Sequence, residues 1–312
     1  MNHRARRLLR TCLIACAVAA FPVRAVAQAA TIPTPESSLG FAVGADFKLA
    51  TYDESLRYFG QLAAASNRIR LVNVGKTSSG HPWTLVLISS PENLTRIDRL
   101  KEIAQRLAHP AGLTDGQARA LAREGRAFVD ISGGLHASEI AGSQHTIQLA
   151  YDILSRPDDP TIKAVLDNTV LLLWPSINPD GQNIVVNWYR ENVGTPYEVS
   201  PLHELYQKYI GHDNNRDGYM LNVTESRVVA RVWREWEPQI IYVQHQTAPF
   251  PTRIWLPPFA EPIAPRVAGL MSREVNTIGM TIAQQRWPPA SIRSQRCSPA
   301  SGLPIILVST LC

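Results

Sequence analysis

The sequence predicts an α/β protein with a mixed, largely parallel central sheet and helices on both faces. Three observations carry that prediction. Apolar runs of strand length alternate with stretches of helical periodicity between residues 127 and 245. The segment "TVLLLWPSINPDG" (169–181) opens as a continuous apolar run, as a strand buried on both faces would. A content of 45% hydrophobic and 18% charged residues over 312 positions suits a chain with a sizeable core.

The first 27 residues read as an export signal. "MNHRARRLLR" is a basic start, "TCLIACAVAAF" an apolar stretch, and Ala25 and Ala27 place small residues before a cleavage point after Ala27. "LIAC" also has the form of a lipoprotein cleavage site at Cys16, an alternative in which that cysteine carries the anchor. No later segment has the ~20 apolar residues that a spanning helix needs. The formal charge of +5 comes from this leader: its five arginines removed, 26 basic side chains face 26 acidic ones. That balance gives no electrostatic reason to expect nucleic acid or an anionic membrane as partner. Cys297 and Cys312 are too few for a disulfide framework.

Residues 28–44 are Pro- and Ser-containing and are expected to form a flexible lead-in. "TYDESLRYFGQLAAAS" (51–66) has helical spacing. "IRLVNVG" (69–75) and "WTLVLIS" (83–89) read as a strand pair joined by the turn-rich "KTSSGHP". Helical periodicity returns over 96–108 and 115–125. "AFVDISGG" (127–134) is a strand closed by two glycines, and 138–155 a helix. The run from 169 is closed by Asn-Pro-Asp-Gly, read as a turn built by Asn178 and Asp180. "ESRVVARVWREW" (225–236) is a helix and "QIIYVQH" (239–245) a buried strand. The domain is expected over 45–285, with an atypical tail over 286–312.

In such sheets functional residues collect where strands end, and His136, Asn178 and His245 stand at or just beyond such ends. His136 and Glu139 lie three residues apart at a strand-to-helix turn, so both side chains can reach one point. Two imidazoles, a carboxylate and a water make a catalytic zinc set, and His245 supplies the third ligand. Taken alone, the His136–Glu139 pair fits a helix opening equally well, with Ser138 capping and Glu139 favoured by the helix dipole. His81, His109, His145, His203 and His212 fit ordinary surface or satisfied histidines better than ligands. "DNNRDG" has the flavour of a calcium loop, but Thr224 stands where an EF-hand needs glutamate.

Five segments in order, "VNVGKTSSGHPWTLVLIS", "GGLHASE", "INPDG", "GHDNNRDGYMLN" and "YVQHQ", resemble the zinc carboxypeptidase family from about residue 45 to about residue 260. The resemblance implies a hydrolase that removes C-terminal residues from peptides with a free terminal carboxylate, and the leader makes it an exported one. It implies Zn²⁺ held by His136, Glu139 and His245, the ligand set described for carboxypeptidase A. It further implies that Asp213 accepts a hydrogen bond from His136, and that Asn215 and Arg216 grip the substrate carboxylate. Arg190 would steady the oxyanion. A zinc deacylase acting on small N-acyl amino acids, or a silent zinc- and peptide-binding protein, shares the same ligands.

The family's general-base glutamate, on a late strand, is not found. The 67 residues after His245 contain Glu261, in a proline-rich loop, Glu274, in a helical stretch, and no tyrosine. The tail "ASIRSQRCSPASGLPIILVSTLC" has no acidic residue. The resulting expectation is a chain that ends early after a shift of reading frame, leaving the domain incomplete at its C-terminus.

Overall fold

A computed structural model describes residues 31–205, 207–246, 254–258, 266–286 and 307–311. The expected signal (1–27), Cys16 and Glu261 lie outside the described residues. Among the described residues no helix is long and apolar enough to cross a membrane.

Strands β1 (Ile69–Lys76) and β2 (Pro82–Ile88) form the expected antiparallel hairpin, with a bulge between Asn73 and Gly75. Strand β3 (Ala127–Gly133) lies between β4 (Thr169–Leu173) and β5 (Ile240–His245) and is parallel to both. β2 runs antiparallel to β4. Two further strands, β6 (Ile254–Trp255) and β7 (Leu307–Leu311), complete a seven-stranded sheet of order β1-β2-β4-β3-β5-β7-β6. β7 pairs antiparallel with β5, so residues 307–311 of the expected tail cover the β5 edge. The sheet is mixed, with β4, β3 and β5 parallel at its centre and β7 and β6 parallel at one edge.

A core packs on each face. On one, Leu85, Leu87, Phe128, Val170 and Leu172 meet helices α4 (Ile97–Ala108) and α9 (Thr224–Trp236). On the other, Val86, Ile88, Leu171 and Leu173 meet α2 (Tyr52–Ala65) and α6 (Ile140–Leu154). The alternation along β2 and β4 reflects the two-residue repeat of a strand buried on both sides. α2 is set by a capping box, Thr51 accepting from the Glu54 N–H and Glu54 from the Thr51 N–H. The same box, Thr114 with Gln117, starts α5 (Asp115–Glu124), an exposed helix.

The lead-in holds a short helix, α1 (Pro35–Leu39), and Ile32, Leu39, Phe41 and Val43 pack against the second core. α3 (Pro91–Thr95) and α7 (Pro160–Asn168) are two further helices. The larger correction concerns Asn-Pro-Asp-Gly. Strand β4 stops at Leu173, and Pro179–Asn192 is helix α8. Asn178 is its N-cap, its side-chain oxygen accepting from the Gly181 N–H at 3.1 Å. Proline in the first turn suits a helix start because its missing N–H would have no partner there. α10 (Gly269–Arg286) is the last described helix.

Candidate metal centre

β3 leaves the sheet through Gly133 and Gly134, and both need to be glycine. A Cβ on Gly133 would lie 2.3 Å from the backbone of Gly142 in the first turn of α6. Gly134 adopts φ +73°, a left-handed conformation. The chain thus turns sharply and α6 seats directly on the strand end. Ile177 N–H donates to the Gly133 carbonyl at 3.1 Å, and Trp83 Nε1 donates to the Ser176 carbonyl at 3.0 Å, which fixes the β4 exit beside it.

His136 comes next in this loop and is buried. The carbonyl just before it, Leu135, accepts from Asn214 Nδ2 at 2.6 Å and from Asn178 Nδ2 at 3.3 Å. Asn178 therefore caps a helix and pins the ligand loop with one amide. Asn214 belongs to the 3-10 turn Gly211–Asp217, which also contains Asp213, Asn215 and Arg216. Asp217, buried, closes that turn by accepting from the N–H groups of Asn222 and Val223, both at 2.9 Å.

Glu139 stands at the N-cap position of α6, yet its side chain caps nothing. It turns instead to the histidines. One oxygen meets His136 Nδ1 at 2.8 Å and the other meets His245 Nδ1 at 2.8 Å. The imidazole centroids are 4.8 Å apart. His245 comes from the last residue of β5, the strand next to β3. One donor atom from each of the three side chains lies within 4.8 Å of the others. Among the described residues this is the one group of His, Cys, Asp or Glu that could share an ion.

The chemistry of the donors fits zinc, which takes imidazole nitrogen and carboxylate oxygen. Burial pushes the Glu139 carboxyl up, but its bonds from His136 and His245 and their charge outweigh that and bring it down to about 2. Glu139 is thus an anion throughout the neutral range, as a carboxylate would have to be to bind a metal ion.

The structure brings His136, Glu139 and His245 together and tethers the turn of Asn215 and Arg216 to the His136 loop through Asn214. Asn215 is half-buried and Arg216 exposed. The side chain of Asp213 lies outside the described residues. Arg190 sits on α8 with its guanidinium on the Glu54 carboxylate, at 2.7 and 3.1 Å, and on the Leu49 carbonyl at 2.6 Å. Ser138, the cap in the alternative helix-opening reading, gives way to Gln246, whose side-chain oxygen accepts from the Ala141 N–H at 2.7 Å. Glu274 is exposed on α10. Asn214 and Gln246 are residues beside the site that sequence reasoning misses, and Asn178, placed there at a strand end as a turn builder, acts as a helix cap and a tether. Only Asn178 carries a local signal, an asparagine ahead of proline at a helix start. Asp180, expected as a turn builder, accepts from Thr77 Oγ1 at 2.7 Å and pairs with His81 Nδ1 at 2.6 Å, tying the β1–β2 turn to α8.

A family model described as zinc carboxypeptidase matches residues 56–239. The matched stretch includes His136 and Glu139 and ends before His245, which the fold itself adds. Among solved structures, the chain is similar to carboxypeptidase A from Helicoverpa armigera at 15% identity and a TM-score of 0.49, over 81% of this chain and 61% of that one. It is similar to a metallo-carboxypeptidase from Burkholderia cenocepacia at 16% identity and a TM-score of 0.40, over 64% of this chain and 41% of that one. The chain thus spans less than two thirds of either structure's length. No curated protein matches it.

Proposed function

Because this chain belongs to the zinc carboxypeptidase family, we propose that it is an exported metallocarboxypeptidase that hydrolyses the C-terminal peptide bond of peptides bearing a free terminal carboxylate. The observation that carries this reading is the convergence of His136, Glu139 and His245 within 4.8 Å. Zinc held by these side chains would supply a Lewis acid and an activated water at neutral pH.

The chain's own residues do the rest. His136 and His245 present Nδ1 toward the shared point, and Glu139 supplies the negative charge that a divalent ion requires. The Leu135 clasp holds the His136 loop, so the ligands need little rearrangement. Asn215 and Arg216 would receive the substrate carboxylate, Arg216 through its planar fork. Asp213 would accept from His136 and set its tautomer. Arg190 would have to leave Glu54 before it could steady an oxyanion.

A second reading, a protein that binds zinc and peptide without turnover, is favoured by the exposure of Glu274, a carboxylate after His245 that stands on a helix rather than at a strand end. One set of measurements separates the readings. The purified protein with zinc should release the terminal amino acid from a blocked dipeptide. Bound zinc without turnover would support the second reading, and turnover of N-acyl amino acids but not peptides would support a deacylase. His136→Ala and His245→Ala should each lower zinc affinity sharply. Equal zinc content in either variant and the parent would sink the ligand assignment.

A further inference from the structure

We propose that Gln246 is a positioning residue for the metal centre, acting through Glu139 and the first turn of α6; this rests on the zinc-binding reading above. A helix start leaves its first N–H groups without partners, and the side chain at the N-cap position ordinarily answers one of them. Here that position is Glu139, and its carboxylate is committed to the two histidines. The cap is therefore supplied from another strand. Gln246 Oε1 accepts from Ala141 N–H at 2.7 Å, across 105 residues of sequence. The backbone N–H of Gln246 donates to Glu139 Oε2 at 3.0 Å.

One residue thus holds the helix that carries Glu139 and, separately, one oxygen of its carboxylate. It also comes directly after His245, the ligand from β5. Any shift of α6 relative to the end of β5 would stretch the Gln246–Ala141 bond, so this bond sets the spacing between ligands that come from two different elements. Neutral glutamine suits the task. It offers an acceptor to the helix N-terminus without placing a second negative charge beside Glu139.

Gln246→Met keeps length, approximate volume and the backbone N–H, and removes the side-chain amide with its acceptor. Partners just outside a ligand shell typically change metal affinity 10–100-fold. Zinc affinity, measured by chelator competition, should therefore fall about tenfold or more in Gln246→Met. The visible spectrum of the cobalt-substituted protein should change in band position or intensity. Gln246→Asn, which keeps a neutral amide but is one methylene too short to span to the Ala141 N–H, should show the same two losses. A plain capping role would lower the melting temperature of the zinc-free protein and leave zinc affinity and the cobalt spectrum at parent values, which would overturn the proposal. So would a Gln246→Asn protein with the zinc affinity and cobalt spectrum of the parent, a test that stands even if Gln246→Met does not fold. A parent that binds no zinc would remove the reading on which the proposal rests. A parent that binds zinc beside an unaffected Gln246→Met would remove the proposal alone.

Discussion

Arg190 carries its charge to Glu54, which is half-buried and held below its usual carboxylate range. Burial opposes that shift, and the bonds from Arg190 and Thr51 outweigh it. The pair also reaches the Leu49 carbonyl, so it ties α8 to the segment leading into α2. Partly exposed ion pairs of this kind contribute up to about 1 kcal/mol. Arg190→Ala should therefore lower stability by no more than about 1 kcal/mol in denaturant titration, with zinc content and the rate of peptide hydrolysis left at parent values. A tenfold loss of rate with stability retained would instead return Arg190 to the role that the family resemblance implies. The three side chains that converge are legible in the sequence because each sits at an element boundary: His136 after two glycines, Glu139 three residues on, His245 closing an apolar strand. Asn214 and Gln246 are not. They act across 79 and 105 residues, and no local pattern marks a hydrogen bond over such separations.

At the scale of elements, the sequence hides helix α8, and the reason is chemical. Asn, Pro, Asp and Gly build turns because they bond to nearby backbone or fix its angles. The same properties start helices, where asparagine caps and proline is tolerated in the first turn. The residues after the motif decide between the two, and "QNIVVNWYREN" has only a weak apolar stripe. The strands β1, β2, β3 and β5 and the helices α2, α4, α6 and α9 are readable to within a residue or two, since their apolar spacing is regular, whereas β4 stops at Leu173, short of the apolar run that marks it. The double use of Asn178 yields a measurable consequence. Asn178→Ala removes a helix cap and one of two bonds to Leu135, and should cost about 1–2 kcal/mol. Asn178→Ser keeps a capping oxygen and should recover most of the loss. If serine is no better than alanine in thermal unfolding, capping is not what Asn178 contributes.

For the whole molecule, the ligand site falls where the topology changes direction. After β3 the chain crosses on the α6 face to β4, and it returns on the α9 face to β5 on the other side of β3. Connections that diverge from a central strand open a crevice at its carboxyl end, and His136 and His245 flank that crevice. The same central strand buries Asp130, whose carboxylate accepts from Trp174 Nε1 at 2.8 Å. Burial pushes this carboxyl up to about 7 from its ordinary 3.8, against the pull of the indole. The folded protein then keeps a proton that the unfolded chain releases. Stability linked to Asp130 is full below about pH 4 and is lost as pH rises toward about 7. In denaturant titrations between about pH 5 and 8, the parent should weaken with rising pH, and Asp130→Asn should lack that component. Parallel pH profiles for the two proteins would contradict the buried-proton account. Finally, the meeting of Gly133 and Gly142 has a consequence for inheritance. Neither residue belongs to the ligand set, yet a single methyl group at either would wedge the first turn of α6 off the strand and draw Glu139 away from His245. A harmless-looking codon change outside the three proposed ligands would thus disturb the geometry that joins them, so variation in this chain is best judged at its hinges of bare backbone as well as at its histidines.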